Sequence, residues 1–222
     1  MSQPFDFHTH RLDATDALIT VDPRRFLPQP GKCYSVGFHP WDTILELDKN
    51  DFQRLEQCAK HEQVLAIGET GLDSLRGACL DVQRQVFARH LSLAATVGKP
   101  VVVHCVRTAQ EIVTLRRDMG LTSVAMAIHG MRANERVAQV LLNAGCYLSF
   151  GMRYNPHALL ATPPERLLIE TDDAPESIHE VAATVAQQLR MSTDELINLT
   201  RTNALRFLSR PDLALLQPVP GT

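Results

Sequence analysis

The sequence predicts an α/β fold, an irregular (β/α)8 barrel of the TIM type in which the first crossover helix is missing. Eight short apolar runs read as strands, several of them continuously apolar, as strands buried on both faces of a parallel sheet are. Helical patterns separate most of these runs, the alternation of a parallel sheet with crossover helices. Polar residues gather where the runs end, and a barrel of this type builds its active site at the C-terminal ends of its strands.

The runs cover residues 5–8, 17–21, 34–38, 64–69, 101–104, 124–129, 146–150 and 167–171. Between them, residues 51–61 place Phe52, Leu55, Cys58 and Ala59 on one helical side, and residues 81–97 do the same with Val82, Val86, Leu91 and Ala94. Gly98, Gly120 and Gly145 stand where a helix stops before the next strand, and Pro100 follows the first of them. Ser192 and Glu195 have the spacing of a capping box opening a last helix. At 222 residues the chain is short for a barrel of about 250. The eight residues from 9 to 16 are too few for a crossover of at least about ten, which is why the first helix is expected to be absent. No linker, repeat or low-complexity segment divides the chain, so residues 1–210 are read as a single barrel and 211–222 as a C-terminal surface tail.

Composition narrows the function. A hydrophobic fraction of 45% beside 21% charged residues excludes a disordered chain. No window of about 18 residues is apolar enough to span a bilayer, and the start MSQPFDFHTH lacks the basic and apolar segments of a secretory signal. A cytoplasmic protein without membrane contact is expected, and no obligate protein partner is evident. A formal net charge of −3 excludes gripping nucleic acid through the whole surface. Five cysteines without a CxxC pair read as reduced, mostly buried thiols.

His8 and His10 are two apart at the end of the first run and so share a face. Glu69, His104 and His129 each end a run, and Asp172 follows the last. The other histidines, His61, His90, His157 and His179, fall in helical or loop contexts and read as ordinary, partly exposed residues. Four imidazoles and two carboxylates suit Zn, Mn, Fe, Ni or Co better than Ca or a purely Mg site. Six ligands exceed what one catalytic ion with an open position uses. Two divalent metal ions are therefore expected, Zn, Mn, Fe, Ni, Co or Mg, sharing a carboxylate and activating water for a displacement.

The segments DFHTH, GFHPW (37–41), GETGLD (68–73), QRQVFARHLSLAATVGKPVVVHC (83–105) and LLIETDDAP (167–175) resemble the TatD family of metal-dependent hydrolases, several of which are deoxyribonucleases. The resemblance runs from about residue 4 to 208, and GETGLD together with ETD is its specific part. It implies that His8, His10, Glu69 and Asp172 hold one metal, and that Glu69 bridges to a second held by His104 and His129. It further implies that Asp172 takes the proton of the attacking water, that Asp73 orients a ligand, and that His39 faces the substrate. The chain departs from the pattern at Val106, where an arginine is common and Arg107 follows instead, and at Ser74, at Met131 and after Pro175. These changes fall on the substrate wall rather than on the ligands.

Phosphoester hydrolysis is thus the leading expectation, with a DNA end, a nucleotide or another small phosphoester as substrate. Arg107, Arg132 and Arg153 in loops past strand ends could pair with phosphate. Aromatic residues make up only 5% of the chain, which favours small phosphoesters over a long single strand. The alternative is a lactonase or amidase of the amidohydrolase type, although Lys32, Lys49, Lys60 and Lys99 all avoid strand ends. A non-enzymatic metal-binding protein is disfavoured, because structural sites are closed and usually Cys-rich.

Overall fold

A computed structural model describes residues 3–45 and 47–209. Eight strands pair in sequence order, all parallel: β1 (Asp6–Thr9), β2 (Ala17–Val21), β3 (Cys33–Val36), β4 (Val64–Asp73), β5 (Val101–Val106), β6 (Met126–Ile128), β7 (Tyr147–Phe150) and β8 (Leu167–Ile169). The helices are α1 (Lys49–Ala59), α2 (Leu80–Val97), α3 (Ala109–Asp118), α4 (Glu135–Asn143), α5 (Pro156–Leu160), α6 (Ile178–Leu189) and α7 (Thr193–Phe207). The seam between β1 and β8 is stitched lightly. Thr9 bridges Asp172, and the buried Asp6 carboxylate accepts from the Thr171 backbone N–H at 2.9 Å and its hydroxyl at 2.6 Å. The result is a nearly closed α/β barrel.

The expected gap is there, since residues 10–16 contain no helix. A second gap accompanies it. Between β2 and β3 only a 3-10 turn forms (Pro23–Arg25), because prolines at 23, 28 and 30 break any longer helix. Two crossovers, not one, account for the short chain. Gly98 ends α2 in the left-handed conformation, and Ser192 with Glu195 caps α7 as the sequence indicates. None of the five cysteines is in a disulfide, and Cys33, Cys58 and Cys146 are buried. No described helix is long and apolar enough to cross a membrane. The tail beginning at 211 lies outside the described residues.

Two corrections concern the strands and a histidine. β4 continues to Asp73 and β5 to Val106, so Glu69 and His104 sit inside strands instead of closing them. The extension is possible because Gly71 pairs with His104, where a side chain would collide with the His104 carbonyl oxygen. His90 is fully buried, not partly exposed. Its Nδ1–H donates to the Val86 carbonyl at 2.8 Å and its Nε2 accepts the Phe38 N–H at 3.0 Å. Burial pushes its pKa down to about 4. His61 is half-buried, and His157 and His179 are exposed.

Candidate metal centre

Side chains two apart on a strand share a face, and this places the site. Leu18, Cys33, Val102, Ala127, Tyr147 and Leu168 join one apolar cluster, which α7 closes with Ala204 and Phe207. Two residues further along come Thr20, Ser35, His104 and Ser149 within their strands, and His129 and Glu170 just past the ends of β6 and β8. Directly above an apolar floor, the barrel therefore carries a polar layer. His8, His10 and Glu69 join that layer from β1 and β4, and Asp172 joins it from beyond β8.

All six sequence-predicted ligands converge there, around Glu69. Its Oε2 lies 3.3 Å from His8 Nε2 and 3.5 Å from His10 Nε2. Asp172 Oδ1 stands 3.7 Å and 3.5 Å from the same two nitrogens. Its other oxygen faces the second half: Oε1 is 2.8 Å from His104 Nδ1, 2.6 Å from His129 Nε2 and 2.9 Å from His39 Nε2. His39, read from the sequence as facing substrate, is thus drawn into the cluster, with its side chain 20% exposed.

Most of the buried imidazoles have a polar group behind them, the arrangement that fixes ring orientation in metal sites. Asp73 Oδ2 lies 3.2 Å from His104 Nε2 and also accepts the Trp41 indole N–H at 2.7 Å. Glu170 Oε1 lies 3.4 Å from His129 Nδ1 and accepts the Gly130 N–H at 2.6 Å. His8 Nδ1 meets the Thr20 hydroxyl at 3.1 Å, which in turn meets Ser35 at 2.7 Å. Sequence reasoning missed Glu170, Thr20 and Ser35. The strand parity could have found them, since each stands two residues after an inward apolar residue.

The donor set fits a divalent cation. His8 Nε2 and Glu69 Oε2 are buried, face each other, and make no hydrogen bond. Buried polar atoms need partners, and a cation between an imidazole nitrogen and a carboxylate oxygen supplies one to both. The electrostatics agree. Burial alone would raise Glu69, but His129, His10 and His104 hold it well below the usual carboxylate range. Burial alone would depress His129, but the carboxylates of Glu69 and Glu170 hold it well above its ordinary value. His8 is pushed down by burial and then by the charge of His129, whereas His10 is raised by the Glu69 carboxylate beside it.

The mouth is cationic. Arg107, Arg132 and Arg153 are exposed and line a cleft that reaches His104, His129 and Asp172. Arg132 Nη2 lies 3.6 Å from Asp172 Oδ2. Asp172 itself is in the left-handed conformation, held by its N–H to the His8 carbonyl at 2.9 Å.

Comparison with known proteins agrees with the fold and with metal dependence. The chain is 28% identical over 194 residues to a metal-dependent hydrolase of Bacillus subtilis, YabD, covering 78% of this chain and 76% of that one. It is 33% identical over 155 residues to the 3'-5' ssDNA/RNA exonuclease TatD of Musicola paradisiaca, covering 64% and 58% of the two. Among solved structures, the TatD homolog YJJV of Escherichia coli superposes with a TM-score of 0.74 at 20% identity, covering 88% of this chain and 86% of that one, a likeness of fold. The profile of the family described as TatD related DNase matches residues 28–209. With that match over most of its length, the chain belongs to the TatD-related DNase family and is a metal-dependent hydrolase.

Proposed function

We propose that the chain hydrolyses phosphoester bonds with two divalent cations, and that Glu69 is shared between them. The observation that carries this reading is the split of one buried carboxylate, Oε2 toward His8 and His10, Oε1 toward His104 and His129. His8, His10 and Asp172 would hold one cation, and His104 and His129 the other. Bound there, divalent cations lower the pKa of water and stabilise charge developing on a phosphoryl oxygen.

The chain's own residues do the rest. Asp172 has a carboxylate at the open end of the cluster, where it accepts the proton of the attacking water. Arg132, beside Asp172, orients that carboxylate and offers donors to a phosphate oxygen. His39 stands on the Trp41 side, where its Nδ1 accepts the Trp41 backbone N–H at 3.1 Å, and faces the substrate from there. Asp73 and Glu170 hold the rings of His104 and His129 in place. Two relatives named 3'-5' ssDNA/RNA exonuclease support phosphoesters of nucleic acid as one source of substrate.

Metal analysis with a panel of nucleotide, aryl phosphate, DNA and lactone substrates tests the reading. Up to two equivalents of metal, activity lost in chelator, and turnover of a phosphoester are expected. Full activity in metal-free protein, or rapid turnover of a lactone with every phosphoester inert, would refute it.

A further inference from the structure

Beside His104 and His129 the barrel mouth opens into a cleft of about 760 Å³, flanked by α3 and α4. Small-molecule sites span roughly 300–1,000 Å³. The mechanism above uses only the edge of this space. Its inner wall is apolar, formed by Ile128, Met131, Val137, Val140 and Leu141. Its rim carries Arg107, Arg132, Arg136 and Arg153, all exposed, together with the carboxylates of Glu111, Asp172 and Asp173. Arg107, Arg136 and Arg153 make no ion pair among the described residues. With Arg132 paired to Asp172, three guanidinium groups outside any ion pair face the two carboxylates of Glu111 and Asp173 on that rim, an excess of positive charge in a chain of net charge −3 that favours an anionic ligand. The apolar wall beneath them marks a ligand with a water-averse body.

Resting on the phosphoester reading, we infer that the cleft holds the organic group of a small phosphoester, an aromatic body that carries a second negative charge. The reacting phosphoryl group lies at the His104 and His129 edge, the body packs on Met131, Val137 and Val140, and the rim arginines take the second anion. A polynucleotide fits less well. Non-specific strand binding uses successive aromatic platforms, and among the described residues Trp41 is the only aromatic one other than histidine on the cleft.

Trp41, the single tryptophan of the chain, lines the cleft, so its fluorescence reports occupancy. The full chain, loaded with manganese, is titrated with benzylphosphonate and with methylphosphonate. Benzylphosphonate should bind about tenfold to a hundredfold more tightly, the value of burying one aromatic group. The double variant Val137→Gln with Val140→Gln changes half-buried positions of α4 and should bring that ratio close to one. Val82→Gln, on an exposed part of α2, should keep it. Arg107→Gln should weaken 4-carboxybenzylphosphonate more than benzylphosphonate.

Equal binding of the two phosphonates by the wild type would overturn the inference, as would a ratio that survives the double variant. So would an oligonucleotide that outcompetes benzylphosphonate with a salt dependence of about six or more phosphates. Failure here is separable from failure of the phosphoester reading. An enzyme that hydrolyses phosphoesters without benzyl preference refutes the cleft alone. One that keeps the preference but hydrolyses no phosphoester refutes the reaction and leaves the apolar pocket standing.

Discussion

The two halves of the centre are held by different means. His8, His10 and Asp172 sit on the seam where β1 meets β8, and backbone bonds between His8, His10 and Asp172 keep them in register. The partner behind His8 is a neutral hydroxyl, Thr20. His104 and His129 lie on interior strands, and each is backed by a carboxylate, Asp73 or Glu170. One half is positioned by the closure of the barrel, the other by buried charge. A centre built this way can lose one half to a change in charge and the other to a change in seam geometry.

Glu69 belongs to both halves, so Glu69→Gln should have the largest effect. Metal affinity should fall by more than about a hundredfold, beyond the range usual for a group behind a ligand, as read by equilibrium dialysis and metal analysis. Asp172→Asn comes next. It should cut kcat by at least about a hundredfold while the fold remains, since general-base help contributes about 10²–10⁴-fold. Near wild-type turnover with normal metal content would remove Asp172 from the proton transfer.

Acid sharpens the contrast through His90, which braces Phe38 beside His39. Its neutral form donates to Val86 and accepts from Phe38. A second proton would set two N–H groups against each other. The folded pKa of about 4 lies below the ordinary 6.5, so the stabilisation is complete above pH 6.5 and is lost as pH falls from there to about 4. A drop of that size amounts to about 3 kcal/mol. Denaturant melts across that range, wild type against His90→Gln, should diverge by this amount. Parallel curves would show that His90 titrates normally.

Glu170→Gln should weaken metal binding by about tenfold to a hundredfold, the usual value of an outer carboxylate. Thr20→Val, which removes a neutral partner, should weaken it by less. Equal losses in calorimetric titrations would erase the proposed difference between the halves. The smallest effect belongs to Asp173→Asn, an exposed neighbour of Asp172. A change in kcat of about twofold or less is expected there, and a larger one would mean that the two acids share the proton.

The six ligand-type residues were legible because the chain shows them as polar residues after apolar runs, and a parallel barrel gathers such positions at one end. Glu170 is legible in principle, two residues beyond the inward Leu168, although the motif ETD that it opens points to Asp172. His90 was not legible. Its burial depends on α2 packing over the end of β3, and its acceptor role depends on a backbone N–H fifty-two positions away in the chain. The second missing helix was written in the prolines at 23, 28 and 30, whose spacing already ruled it out. His39 could be placed near the site from GFHPW, whereas its 2.9 Å approach to Glu69 is a contact between segments thirty residues apart.

The alternation of floor and polar layer ties pairing errors to loss of function. In β5, Val102 and His104 point inward while Val103 packs among the helices. A slip of one residue would bury an imidazole in oil and leave valine in the barrel mouth. The same holds for β2, β6 and β8, where Thr20, Ala127 with His129, and Glu170 alternate with residues of the outer core. A misregistered barrel is therefore unstable and loses the candidate site as well, because the polar side chains of that site are also those the outer shell rejects. The polarity of the layer thus acts as a proofreader of strand pairing.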